Sequence, residues 1–355
     1  MKKNIFIIFI LSIILLSSCN KDNPVSINDD MDNTVSEIDD NIIEYDNSVE
    51  EDDSNKIISP LDGQKYYESD LLKRPVAISI DNHPNARWQA GLKDAEIIYE
   101  CEVEYPYTRY LCIFLTKEPG IIGPVRSARP YLIYYALEYD GIFVHVGGSE
   151  DAFSEIKRLM VPDVDGLYSG AMWRYYDTDK FAPHNMYTTL KSIRDEASSY
   201  GYKEESDYES YQFNESTKEL SKKYEEVFTS TEINIKYNKY NTTDYKYDEE
   251  KKLYLRYKDG EKHIDELYNE QLTTKNLIIL EVSKSVLDSE GRLYLDTVGK
   301  GNGIYITNKE AIKITWEKNS EKSRTKFYIN NEELSLNPGN TWIQIVNSLQ
   351  NVNIE

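Results

Sequence analysis

Residues 123–131 read GPVRSARPY, and its two arginines, Arg126 and Arg129, raise the first chemical question. The chain carries 62 Asp and Glu against 41 Lys and Arg, so two guanidinium groups set between glycine and prolines need a reason. Each offers a planar fork of N–H donors that suits phosphate or carboxylate. The chain has four histidines. Three of them, His83, His145 and His184, fall in DNHP, VHVGGS and APHN, stretches that read as loops or strand ends. Asp81 closes the short apolar run PVAISID just before His83. Ligands of open α/β sheets gather beyond the carboxyl ends of strands, where Asp81, His83 and His145 would lie.

Three chemistries compete for these residues. The first is an anion site built from Arg126 and Arg129, with Arg109 and Arg87 as further donors. The GGS turn ending in Ser149 adds backbone N–H groups at a helix start. Glu150 and Asp151 oppose this, because they already place negative charge in that first turn. The second is a zinc site with His83, His145, His184 and Asp81 as ligands; their spacing is irregular and no HExxH pair occurs. The third is hydrolysis with Ser127 or Ser149 as nucleophile, although no GxSxG elbow is present. Against all three stands a structural role, in which Arg126 and Arg129 pair with Glu100, Glu102 or Glu104 and the histidines bond to backbone.

The elements that must position these groups begin after a leader. MKK is a short positive start, and IFIIFILSIILL is an apolar run too short to read as a spanning helix. It leads into Leu16-Ser17-Ser18-Cys19, which resembles the lipobox of bacterial lipoproteins. The resemblance implies a signal peptide over 1–19, cleavage before Cys19, and acylation of its thiol and new N-terminus, with palmitate among the acyl groups. Acyl chains hold a protein to a membrane without spanning it. Residues 20–56 hold thirteen Asp and Glu against two Lys and lack any helical or strand period. This is the composition of a disordered, self-repelling tether, with a coil reach of roughly 30–35 Å.

Residues 57–202 mix strands and helices and are expected to form an α/β or α+β ligand-binding domain. EIIYECEVE and TRYLCIFLT read as a hairpin around YPY. Helices are expected over PYLIYYALEY, with Pro130 as its first residue, over EDAFSEIKRLM, with Ser149 as its cap, and from about Thr188 to Tyr200. Residues 203–229 read as a polar connector containing a helix. From 230 to 355 the period becomes two, in EINIKY, LYLRY, LIILEV, LYLDTV, GIYIT, AIKITW, KFYI and TWIQIV, so the second domain is expected to be mostly β.

Cys101 and Cys112 remain once Cys19 is set aside. A two-residue turn at 106–107 would place them opposite each other as a hydrogen-bonded pair, a poor geometry for a disulfide. Two buried free thiols are the expected state. The acidic balance and the lack of a basic stripe argue against a nucleic-acid partner.

DNHPNAR, YECEVE followed by TR, IGPVRSARPY, LEYDGIFVHVGGS and APHN occur in that order. Together with GKGNGIYI, TW and LNPGNTWIQIV, they resemble the YerB-like lipoproteins of Gram-positive bacteria, which carry two domains of unknown function. The likeness covers roughly residues 58–349. It departs at YPY, where a Gly-rich turn would be expected. The resemblance implies a lipid-anchored protein on the outer face of the cytoplasmic membrane. It implies no reaction and no catalytic residue, but Asp81, His83, Arg126, Arg129, His145 and His184 lie in its motif segments. The expected function is non-enzymatic: binding of an anionic cell-envelope ligand, such as a wall polymer, or of a membrane-protein partner. The alternative is a hydrolase of wall material that uses Asp81 and the histidines as zinc ligands or acid–base groups.

Overall fold

Runs of apolar and β-branched residues become strands that are covered on both faces. In the computed structural model, which describes residues 55–355, VAISID forms β1 (Val76–Asp81) and IIYECE forms β2 (Ile97–Glu102), and every residue of both is buried. The signal segment 1–19, the lipidation site Cys19 and the tether up to residue 54 lie outside the described residues. The N-terminal half adds to the same sheet β3 (Thr108–Phe114), β4 (Ile142–His145) and the short β5 (Asp163–Asp165). The C-terminal half supplies β6 (Glu232–Asn238), β7 (Asn241–Asp248), β8 (Leu253–Lys258), β9 (Asn276–Glu281), β10 (Gly299–Thr307), β11 (Glu310–Lys318), β12 (Lys326–Ile329), β13 (Thr341–Val346) and β14 (Val352–Ile354). The mostly β character expected from the period-two pattern is what the chain adopts.

One twelve-stranded sheet draws on both halves; ten of its strands run in the order β12-β11-β10-β9-β13-β2-β3-β1-β4-β5, and the two-residue strands Glu332–Glu333 and Phe228–Thr229 pair with β12 and β11. The join is β13, which runs parallel to β9 on one side and to β2 on the other. Beyond it, β3 is antiparallel to both β2 and β1, and β4 and β5 continue parallel to β1. The carboxyl ends of β1, β2, β4 and β5 therefore share one edge. Helices α1 (Pro130–Leu137) and α2 (Glu150–Leu159) cover one face. The other face is covered by α3 (Leu190–Ser199) and by a second, antiparallel sheet built around β6, β7, β8 and β14.

The helices begin as the sequence dictates. Pro130 opens α1, where its missing N–H costs nothing. The Ser149 hydroxyl accepts from Ala152 N–H at 3.2 Å and caps α2. The connector departs from expectation: residues 203–229 hold no α-helix, only the 3₁₀ turn Leu220–Lys222 and two-residue strands. Leu220 is the buried residue of that turn, and the Glu310 carboxylate accepts from the N–H groups of Leu220 and Ser221. A carboxylate from another strand thus does the capping, and no apolar stripe exists to extend the turn.

The β2–β3 hairpin also differs. Its register pairs Cys101 with Arg109 and Ile98 with Cys112, not Cys101 with Cys112. A loop runs from Val103 to Tyr107, closed by Val103 N–H to the Tyr107 carbonyl at 3.0 Å and Tyr107 N–H to the Glu104 carbonyl at 2.8 Å. The longer loop shifts the pairing by three residues. An odd shift exchanges faces, so Cys101 packs on the α1 side and Cys112 on the other. Both are buried free thiols.

Candidate functional site

GPVRSARPY lies across the carboxyl ends of β1 and β4. Asp81 N–H donates to the Pro124 carbonyl at 2.8 Å, and Arg126 N–H donates to the Ser79 carbonyl at 2.8 Å. On the other side, Val146 N–H donates to the Arg126 carbonyl at 3.1 Å and Ala128 N–H to the Gly147 carbonyl at 2.8 Å. The segment starts at a glycine because nothing larger fits: a Cβ on Gly123 would sit 2.8 Å from the Tyr187 ring and 2.9 Å from the Met186 carbonyl. The backbone of Arg126 is therefore held on both sides.

The two arginines have different fates. Arg129 is spent on the fold. Its Nε donates to Glu104 Oε1 at 2.7 Å, its Nη2 reaches the same oxygen, and its Nη1 donates to the Ala128 carbonyl at 2.7 Å. Arg126 is not spent. Its Nε stands 3.4 Å from Asp81 Oδ2, its side chain is 27% exposed, and its two Nη groups have no hydrogen-bond partner among the described residues. Arg109 lies behind them, with Nη1 donating to the Ser127 carbonyl at 2.7 Å and a buried Nε without a partner. Burial and the Arg129 cation push the Arg109 guanidinium down to about 10, against the pull of Glu104 and Asp81. Three arginines thus face two carboxylates, Asp81 and Glu104, which leaves a local excess of positive charge.

Asp81 organises the histidines. His184 Nδ1 is 2.8 Å from Asp81 Oδ2, the same oxygen that Arg126 approaches. Burial raises the Asp81 carboxyl, but the His184 hydrogen bond, the Arg109 and Arg126 charges and the His83 N–H more than offset it. The carboxyl is held below its ordinary range and accepts only, so His184 Nδ1 carries the proton. His184 Nε2 then has no hydrogen-bond partner among the described residues. His83 stacks on His184, with ring centroids 4.4 Å apart and planes 19° from parallel. Its Nδ1 accepts from Asn85 N–H at 3.1 Å, which leaves the proton on Nε2. Burial and the nearby His184, Arg126 and Arg87 lower the His83 pKa, and Asp81 opposes them in part. Asp81, His83, His184 and Arg126 therefore form one cluster.

Two candidate residues stand apart from it. His145 is fully buried; its Nδ1 contacts the Gly147 carbonyl at 2.8 Å and its Nε2 contacts Asp163 Oδ2 at 3.1 Å. Its ring is walled by Phe143 and Phe153. Ser149 is buried and occupied as the α2 cap. The expected four-residue zinc set does not assemble: His145 turns to Asp163, His83 Nδ1 is taken by the Asn85 N–H, and His184 Nδ1 is taken by Asp81. Among the described residues, no three His, Cys, Asp or Glu side chains are grouped to hold a metal ion.

The sequence reading missed a buried polar chain that backs this cluster. Gln89 Nε2 donates to the Asp81 carbonyl at 2.8 Å, and Gln89 Oε1 meets His263 Nε2 at 2.8 Å. Arg256 Nε donates to His263 Nδ1 at 3.0 Å, and Arg256 Nη2 donates to Glu100 Oε2 at 2.7 Å. Asn82 continues the chain, donating to Thr108 at 2.7 Å and accepting from Arg87 Nε at 3.2 Å. Beside it a groove of about 930 Å³ opens, lined by His184, Trp88 and Phe181 from the N-terminal half and by Glu266 and Asn269 from the C-terminal half. The available signal was the pair of charged residues at alternate positions of a strand, Arg256 and Lys258.

Comparison with known proteins fits this architecture. Residues 61–203 match the family described as protein of unknown function (DUF3048), N-terminal domain, and residues 233–343 match the corresponding C-terminal domain. The chain is 31% identical over 307 residues to YerB of Bacillus subtilis (strain 168), which is provisionally named a lipoprotein; the match covers 85% of this chain and 90% of that one. The crystal structure of the YerB protein from Bacillus subtilis is similar with a TM-score of 0.76 at 31% identity, covering 84% of this chain and 100% of the solved chain.

Proposed function

The chain belongs to the DUF3048 family, and from that premise we propose that it is a lipid-anchored protein on the outer face of the cytoplasmic membrane that binds an anionic group of the cell envelope at Arg126. The observation that carries this reading is the free pair of Nη groups on Arg126, fixed beside the stacked His83–His184 pair with positive charge in excess. The bound group would meet a forked donor and the His83 Nε2–H, while Asp81 holds Arg126 and His184 from behind. A wall polymer or a membrane protein with phosphate or carboxylate groups fits this chemistry. Arg129, which the sequence offered as the second half of the clamp, supports the loop through Glu104 instead.

Calorimetric titration with inorganic phosphate and with a glycerol-phosphate polymer tests the site. Arg126→Ala is expected to weaken binding by about 10–100-fold, the worth of one or two charge-assisted hydrogen bonds. Its melting temperature should stay near that of the parent, because the side chain has one 3.4 Å contact. Affinity should fall with added salt. Unchanged affinity in the variant would remove Arg126 from the site. The anchor is tested separately: cells given labelled palmitate should label the parent and not Cys19→Ala, and equal labelling would refute acylation at that residue.

A second reading rests on the Asp81–His184 hydrogen bond of 2.8 Å. A carboxylate that fixes Nδ1–H leaves Nε2 to act as a base in neutral His184, which would make the site a hydrolase of envelope material. Release of cleaved polymer during the same titrations, lost in His184→Gln, would favour it over simple binding.

A further inference from the structure

We infer that the anionic ligand is a saccharide, and that the groove beside His184 holds its sugar rings; this rests on the anion site proposed above. The groove and the anion site share a wall. His184 lines the groove, and its Nδ1 meets the Asp81 oxygen that Arg126 Nε approaches, so the free Nη groups of Arg126 lie within one sugar unit of the groove.

The groove offers what a sugar ring needs. Phe181 lines the groove and is 76% exposed, so its ring is open to a ligand. Trp88 is half-buried, contacts His263 with ring centroids 5.1 Å apart and planes tilted by 34°, and has no partner for its Nε1–H among the described residues. Aromatic faces accept the C–H side of a pyranose, and the indole N–H adds a donor. The side-chain amides of Asn85 and Asn269 line the groove and bond no other residue among the described ones, so each presents a donor and an acceptor to vicinal hydroxyls. At about 930 Å³ the groove has room for several sugar units. Its ionic groups are mostly internally paired, Lys180 with Glu266 at 2.5 Å and Arg87 with Asp259 at 2.6 Å, so the sugar rings themselves need no charge. The charge requirement is met by one carboxylate or phosphate per short repeat, placed on Arg126.

The test is calorimetry on the protein with four probes. Two are acidic: a tetrasaccharide of alternating N-acetylglucosamine and N-acetylmuramic acid, which carries carboxylates, and a glycosylated glycerol-phosphate oligomer, which carries phosphates. The others are the neutral chitin tetrasaccharide and inorganic phosphate. At least one acidic saccharide should bind about tenfold or more tighter than either control, and which one does so identifies the anion. Phe181→Ala should weaken that saccharide about tenfold and leave inorganic phosphate unchanged. Trp88→Ala should do the same, but its packing on His263 makes Phe181→Ala the deciding variant. Phosphate binding that needs Arg126 without any gain from sugar would overturn the saccharide inference and leave the anion site standing. Loss of all anion binding would overturn both.

Discussion

Arg256→Ala is expected to remove about 3–5 kcal/mol of stability, the cost of leaving a buried charge without its partner. Both Arg256 and Glu100 are 0% exposed, and they meet at 2.7 Å between the two sheets. The guanidinium also donates to Tyr245 Oη at 2.8 Å and to His263 Nδ1 at 3.0 Å, and it lies 3.9 Å from the Trp342 ring centroid. In the variant, Glu100 keeps Thr108 at 2.7 Å and Thr243 at 3.1 Å, but its nearest cation is Lys258 at 3.9 Å. Burial has already pushed Lys258 down to about 8, although Glu100 and Asp259 hold it up. It is a weak substitute.

The pH dependence gives this prediction a second edge. Burial raises the Glu100 carboxyl, and Arg256, Lys258 and the Thr108 hydrogen bond more than offset it, so its folded pKa lies below the unfolded value of 4.5. Its contribution to stability is therefore fully present above pH 4.5 and is lost as pH falls through the folded pKa. Without Arg256, burial prevails and the folded pKa moves above the unfolded one. The variant should then regain part of its deficit on acidification, while the parent loses stability. Urea midpoints at pH 7 and at about pH 3.5, below the unfolded carboxyl value, with unchanged slope, measure both effects. Replacing both partners, Glu100→Gln with Arg256→Met, should recover most of the loss. A deficit under about 1 kcal/mol at pH 7, the range of exposed pairs, would refute the role assigned to the pair.

Arg256 also shows where the sequence misleads. In LYLRYK the apolar phase is Leu253, Leu255 and Tyr257, and alternation places that phase inward. In β8 the inward phase is Tyr254, Arg256 and Lys258. The inversion follows from what β8 faces: Glu100 on β2, whose charge must be matched once water is excluded. A period shows that a strand exists, but its inward face depends on the opposite wall. β7 was missed for a related reason. Its inward residues are Asn241, Thr243 and Tyr245, so NTTDYKYD carries no apolar alternation. The strands and helices whose own side chains form the cores were legible, as was the Ser149 cap, because their signals are local.

The site was legible in residue type and not in assignment. Asp81, His83, His184 and Arg126 converge because strand ends gather on one edge, which a pattern of strands and loops implies. Arg126 and Arg129 are alike in sequence. Glu104 selects Arg129 only because the β2–β3 loop is longer than a two-residue turn and brings its carboxylate beside that arginine. His145 resembles a ligand for the same positional reason as Asp81, and it is taken by Asp163 from β5, a strand too short to read.

The second large effect concerns the two family domains. A chain ending after residue 230, which contains the whole N-terminal domain, is expected to lack a cooperative fold, and adding a chain of residues 204–355 should restore it. β2 is an interior strand because β13 lies along it, with Ile97 opposite Thr341 and Glu100 opposite Gln344. Without β13, the backbone edge of a strand with no exposed residue faces water, a template for aggregation. Two buried carboxylates lose their cations at the same time, on opposite faces of the sheet. Glu100 loses Arg256 and Lys258. Glu138, at the end of α1, loses Lys318 at 2.8 Å and the Thr325 hydroxyl at 2.6 Å, and both groups of that pair are 0% exposed. At about 3–5 kcal/mol for each broken buried pair, the two together cost about 6–10 kcal/mol, comparable with the stability of about 5–15 kcal/mol typical of a whole domain. Amide exchange should show the N-terminal fragment unprotected alone and β1–β3 protected in the mixture. A sharp thermal transition and native protection in the isolated fragment would mean that each domain carries its own fold and that β13 merely docks.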